Sequence, residues 1–145
     1  MSKPTLLAFN LHGERAGRIR LMASRYGIQY RPVKPEQYNQ PLSALCGQGE
    51  PGEGVYEGPG FEEEMLYMAY FPGGLVHKLL DSFRQQRMPS VKLKAMMTES
   101  NQAWDTLELH RNLMEEAEQF RQMKAFAHAK KEQEAQAPQG QDGAL

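Results

Sequence analysis

Lys94, Thr98, Ser100, Asn101 and Trp104 fall within the stretch VKLKAMMTESNQAW, residues 91–104. Together they could hold a small ligand. An ammonium, two hydroxyls, a carboxamide and an indole beside a helix start would suit a polar or anionic metabolite, helped by the free N–H groups of the helix's first turn. The same residues also have structural work to do. Ser100 or Thr98 can accept a hydrogen bond from the first turn of a following helix, Asn101 suits the turn, Asp105 favours the positive end of the helix dipole, and Trp104 can pack back on a sheet. The residue types favour the capping role and leave the metabolite site as the alternative.

The remaining chemistry-bearing residues carry less. Cys46 is the one cysteine, so an intrachain disulfide and a multi-cysteine zinc cluster are excluded. Its setting, PLSALCGQG, puts no histidine or basic residue beside it, and no second cysteine exists to resolve an oxidised thiol. A thiol enzyme built on Cys46 is therefore a further alternative, behind a small buried apolar residue closing a helical turn. His12, His77, His110 and His128 show no helical ligand spacing and no H-E-x-x-H, so neither a metal nor a cofactor is expected. His12, with Glu14 and Arg15, follows a strand at a glycine break, a place for ligands and for ordinary surface turns alike. Glu62-Glu63-Glu64 reads as a hydrated charge run. Residues 47–52, GQGEPG, match G-x-G-x-x-G letter for letter. No strand leads into them, Pro51 lacks an N–H, and Glu50, Glu53 and Glu57 would repel a pyrophosphate. No P-loop, no G-x-S-x-G and no defensible Ser/His/Asp set is present.

Positioning the candidate elbow requires a scaffold, and hydrophobic periodicity supplies one. Thr5–Leu11 is a short apolar run, broken by His12-Gly13. Glu14–Tyr26 then places Ile19, Met22, Ala23 and Tyr26 on one helical stripe, and Gly27 stands where a C-cap glycine belongs. Ile28–Val33 alternates but contains Pro32, which marks an edge strand. A short helical turn is expected at Gln40–Cys46. Residues 47–60 hold six glycines, two prolines and three glutamates, a mobile acidic loop. Met65–Phe71 is apolar throughout, Leu75–Gln86 is a helix with Leu75, Leu79, Leu80 and Phe83 on one stripe, and Ser90–Met97 alternates. A last helix is expected from about Asn101 to about Gln133, followed by the disordered tail APQGQDGAL.

The two halves resemble each other: apolar strand, breaker, helix, alternating strand. Apolar strands belong in the centre of a sheet, and strands carrying proline or lysine at its edges. This predicts an α+β, two-layer ferredoxin-like βαββαβ sandwich with an added long C-terminal helix. The alternative is a parallel α/β sheet, thioredoxin-like or flavodoxin-like. The order of the strands stays open. One α/β domain over residues 1–123 is expected, with 124–145 as helix end and tail. A ferredoxin-like sheet leaves one face bare, and here that face would be apolar, so the C-terminal helix or a second copy of the chain should cover it. Leu109, Leu113, Phe120 and Met123 are the interface candidates on that helix.

The 145 residues carry a formal net charge of −1 and 40% hydrophobic residues, enough for a core and no general pull toward nucleic acid. Tyr67 and Phe71 could stack bases on an open sheet, but three glutamates precede them, and Arg15, Arg18 and Arg25 make only a modest basic face. Neither a signal-peptide layout nor a membrane-spanning run is found, so a cytoplasmic chain is expected, acting without nucleic acid or membrane.

Leu93-Lys94-Ala95 followed by Thr98, Asn101 and Trp104 is similar to an L-K-A-x-x-T-x-x-N-x-x-W signature. It resembles an uncharacterised bacterial family known as a domain of unknown function, serial number 3783. FPGGLVHKLLDSFRQQRMPSV and Gln40-Pro41-Leu42, Leu45 and Gly47 add to the resemblance, which covers about residues 5–120. The family implies no activity, substrate or cofactor. It makes Lys94, Thr98, Asn101 and Trp104 the residues to follow if a site exists. The expectation is a non-enzymatic interaction or regulatory module, a homodimer or a protein partner's binder, acting through its sheet face and last helix. A metabolite sensor at Thr98–Trp104 is the alternative.

Overall fold

Apolar runs at residues 5–9 and 65–69 pair with each other and make the centre of the protein. The computed structural model describes residues 2–136, so the predicted disordered tail lies outside the described residues. Along the chain run β1 (Thr5–Phe9), α1 (Gly13–Arg25), β2 (Gln29–Val33), α2 (Leu42–Leu45), β3 (Met65–Ala69), α3 (Leu75–Gln85), β4 (Leu93–Met96) and α4 (Thr106–Gln136). Single 3-10 turns stand at Pro35–Gln37 and Asn101–Ala103. The chain divides into two compact units, Met1–Leu113 and Met114–Leu145.

In the first unit a four-stranded sheet has the order β2-β1-β3-β4. The fold is α+β. Its central strands are the two apolar ones, and its edges are the strands with Pro32 and Lys94, as the sequence predicts. β1 and β3 are antiparallel, with Leu7 opposite Tyr67. The edges, which the sequence left open, fall β2 parallel to β1 and β4 parallel to β3. Relative to the ferredoxin-like plan, the element order and central pair are kept and the two edge strands are exchanged. Each strand–helix–strand half thus closes on itself. The wholly parallel alternative is absent, because the halves meet antiparallel.

The halves repeat in detail at an offset of 60 residues. β1 ends where Asn10 turns left-handed (φ 59°), and β3 ends where Tyr70 does the same (φ 61°). Those turns stop both strands two residues short of the apolar runs. After α1, Gly27 at φ 71° lets the Ile28 N–H return to the Ala23 carbonyl at 2.9 Å. After α3, Arg87 at φ 53° lets Met88 return to Phe83 at 2.9 Å.

α1 and α3 share one face of the sheet. Leu6, Ala8, Leu66 and Met68 meet Ile19, Met22, Leu79 and Phe83 there, all buried. Leu80, expected on the same stripe, is half-buried. The other face, Leu7, Phe9, Met65 and Tyr67, was expected to need covering, and the chain covers it largely with its own insert. Tyr38, Leu42, Leu45, Cys46 and Leu109 are buried with it, and the Tyr38 ring lies 6.5 Å from that of Phe9. The sheet face is therefore spent within the chain and offers no open apolar surface.

Residues 47–60 form neither helix nor strand and are tied down by polar contacts. The Gln40 carboxamide donates to the Gly52 carbonyl at 3.1 Å and accepts from the Gly52 N–H. The Tyr56 N–H reaches the Glu36 carbonyl at 3.0 Å.

Candidate functional site

The elbow after β4 is built around Asn101. The chain leaves the strand at Met96, makes one 3-10 turn at Asn101–Ala103, then extends through Trp104 before α4 begins at Thr106. The Asn101 side chain sits inside this bend, 8% exposed. Its Oδ1 accepts from the Tyr67 hydroxyl at 2.6 Å and from the Thr98 N–H at 2.8 Å. Its Nδ2 donates to the Met96 carbonyl at 2.9 Å. The Asn101 N–H donates to Thr98 Oγ1 at 3.0 Å. One buried carboxamide thereby joins the central strand β3, the end of β4 and the turn. Burial pushes the Tyr67 phenol well above its ordinary range, so the hydroxyl stays a donor.

The elbow also anchors the insert. The Leu42 N–H at the start of α2 donates to the Trp104 carbonyl at 2.8 Å, and the Thr106 N–H donates to the Tyr38 carbonyl at 3.2 Å. Trp104 must be extended to present that carbonyl, which is why α4 starts five residues later than the sequence suggests.

Neither Ser100 nor Thr98 caps α4. Asp105 does, with Oδ1 accepting from the Glu108 N–H at 2.9 Å. A carboxylate thus already occupies the place an anion would take at this helix start, and Glu108 adds a second negative charge there. Ser100 is exposed and makes no capping bond.

Of the predicted site residues, the structure brings Thr98 and Asn101 together, with the backbone of Trp104. It does not bring Lys94 to them. Lys94 pairs in register with Leu66, on the helix side of the sheet, while Asn101 binds Tyr67 on the other side. The Lys94 ammonium turns back to the Val91 carbonyl, and burial lowers its pKa.

Cys46 is buried, and burial pushes its thiol up to about 11 despite the Arg31 guanidinium nearby. At neutral pH it carries almost no thiolate. Alkylation of the folded protein with iodoacetamide is expected to be at least 100-fold slower than in urea, a gap set by burial and thiolate fraction. Rapid folded-state labelling would reopen the thiol reading.

A second cluster went unread in the sequence. The Arg15 guanidinium binds Glu64 with both Nε and Nη2, at 2.7 and 2.8 Å, and its Nη1 donates to the Pro89 carbonyl at 2.8 Å. Glu63 pairs with His110 Nε2 at 2.8 Å, a bond that holds the Glu63 carboxyl below its ordinary pKa. The His110 ring stacks on Phe61 at 3.9 Å, and Phe61 stacks on Tyr38 at 5.1 Å. The run Glu62–Glu64 is thus more than a hydrated flank: two of its three members hold α1 and α4 to the strand entry. His110 lies 47 residues from Glu63, and no local spacing announces the pair. His12 is exposed and precedes α1 without a side-chain capping bond. Among the described residues no three His, Cys, Asp or Glu side chains gather as metal ligands.

Leu93, Lys94 and Ala95 stand in β4, and Thr98, Asn101 and Trp104 in the elbow. Residues 64–120 match the family model described as Domain of unknown function (DUF3783). The DUF3783 match takes in β3, α3, β4, the elbow and the first part of α4. It is narrower than the resemblance over residues 5–120, and leaves β1, α1, β2 and the insert outside. The Asn101 clasp lies wholly within the matched segment, including its Tyr67 partner. No curated protein and no solved structure gives a match to the chain.

Where the interface candidates stand is equally clear. Leu109 is 1% exposed and belongs to the interior of the first unit, so it has no surface to offer a partner. Leu113 is half-buried. Phe120 and Met123 are 62% and 70% exposed, joined by Phe126 at 72%, which the sequence reading passed over. No helix among the described residues is long and apolar enough to cross a membrane.

Proposed function

We propose that this chain is a non-enzymatic interaction module whose docking element is the outer stretch of α4. One observation carries the reading. Phe120, Met123 and Phe126 are exposed at successive i, i+3 positions, which sets three large apolar side chains on one stripe of a helix. Single exposed apolar residues are ordinary, but a contiguous stripe is what helix-in-groove and helix-pairing contacts use. The rest of the molecule supports the reading by what it has already committed. Both sheet faces are covered, Cys46 is buried, and the Asn101 carboxamide makes three hydrogen bonds within the chain.

A photo-crosslinking amino acid placed at Met123 tests this in cells producing the full chain. The expected result is an adduct of one defined mass. The same residue placed at exposed Leu21, on α1, should give none. Absence of any adduct at 123, or equal adducts at both positions, would sink the reading.

A further inference from the structure

Resting on that docking role, we infer that the occupant of the stripe is the same stripe of a second copy, paired antiparallel about Met123. The residues 116, 120, 123, 127 and 130 follow one another at alternating steps of four and three along one face of the helix, and 116, 123 and 130, seven apart, form the centre line of that face. All five are exposed. Read in order they are Glu116, Phe120, Met123, Ala127 and Lys130: acidic at one end, apolar in the middle, basic at the other. Gln119 and Phe126 flank the centre line on one side, Phe120 and Ala127 on the other.

A two-fold axis through Met123, perpendicular to the helix, sets each residue opposite the one whose number completes 246. Glu116 then faces Lys130 of the second copy, and Lys130 faces its Glu116. Phe120 faces Phe126, Gln119 faces the small Ala127, and Met123 meets itself. Beyond the seam, Glu115 faces Lys131. Every large apolar side chain on the stripe finds an apolar partner, and every charged seam residue an opposite charge. This is the self-complementarity that a two-fold contact demands. A parallel, in-register pair would put Glu116 on Glu116 and Lys130 on Lys130, an arrangement that like charges disfavour. The helix surface is otherwise sewn by its own contacts, Arg121 to Glu118 and Lys124 over the Phe120 ring at 5.5 Å, which hold the stripe in shape before pairing.

Sedimentation equilibrium of the full chain tests the pairing. A reversible dimer is expected. Glu116→Lys alone, and Lys130→Glu alone, should each weaken it about tenfold, since each swap turns two symmetric attractions into repulsions. The double variant should return to within about threefold of the unchanged chain. Mixing Phe120→Cys with Phe126→Cys chains under mild oxidant should give the mixed disulfide ahead of either homodimer, and the unchanged chain, with only buried Cys46, should give none. A monomer at all concentrations, charge swaps without effect or without rescue, or homodimeric disulfides in excess would each overturn the proposal. The crosslink at Met123 separates the two levels. An adduct of twice the chain mass supports self-pairing, an adduct with a different protein overturns self-pairing and keeps the docking role, and no adduct removes both.

Discussion

Replacing Asn101 by alanine is expected to destabilise the first unit by about 3 kcal/mol, because it strands the buried Tyr67 hydroxyl and breaks two part-buried bonds to the backbone at once. The Tyr67 hydroxyl, the Thr98 N–H and the Met96 carbonyl all lose their only side-chain partner at the elbow. An unpaired buried polar group typically costs about 1–3 kcal/mol, and the three are close enough to one another that their costs do not simply add. The melting midpoint should fall by roughly 10 °C for a unit of this size. Thr98→Ala, which frees only the Asn101 N–H at an exposed position, should cost about 1 kcal/mol. Differential scanning calorimetry of the purified protein, with nothing added, reads both. A clasp requires the loss to appear in the bare protein. A ligand-binding residue would leave the bare protein nearly unmoved, so a midpoint for Asn101→Ala within about 2 °C of the unchanged chain would defeat the clasp.

That contrast shows what was legible in the sequence. Asn101 was visible as a special residue, because an amide between a strand and a helix must make local hydrogen bonds. Its role was harder to read. Thr98, Ser100, Asn101 and Asp105 are all residues that cap helices, and four such residues within one short stretch point to one joint without saying which makes the cap. The choice fell on Asp105 because the Trp104 carbonyl is needed by Leu42, a residue 62 positions away in the sequence. Contacts of that range leave no periodicity behind.

The sheet was legible for the opposite reason. Strand centrality is written in composition: β1 and β3 are apolar on both faces, while Pro32 and Lys94 mark the edges. The exchange of the edges was not, because swapping β2 and β4 changes no residue's burial pattern along its own strand. The cover of the second face was hidden too. It rests on three residues, Tyr38, Leu42 and Leu45, in a short stretch that leads into a loop rich in glycine and glutamate. On α4, spacing alone grouped Leu109 with Phe120 and Met123, although Leu109 is inside the first unit and the other two are on the surface.

Tyr38 is where that hidden cover is tested most severely. Its ring packs against Phe9 at 6.5 Å, Tyr56 at 6.2 Å and Phe61 at 5.1 Å, and the residue is 1% exposed. Tyr38→Ala should cost about 4 kcal/mol, the usual scale for emptying a buried aromatic site. It should also loosen the insert, because Tyr38 links the sheet face to Phe61 and, through Phe61, to His110. Cleavage within residues 47–60 by a glutamate-specific protease is therefore expected to speed up well beyond the change in Thr98→Ala. Tyr38→Phe should behave in the opposite sense. The Tyr38 hydroxyl is buried with no hydrogen-bond partner among the described residues, and the Asn10 amide beside it is committed to the Phe61 and Glu63 carbonyls at 2.8 and 2.9 Å. Removing that oxygen keeps the packing and deletes an unmet polar group, so stability should hold or rise by up to about 1 kcal/mol in urea titrations. The two substitutions differ by one ring, and their opposite signs would assign the insert's hold on the sheet to apolar packing. A clear loss on Tyr38→Phe would transfer that hold to the hydroxyl, and with it to a polar link between Tyr38 and Asn10 at the end of β1.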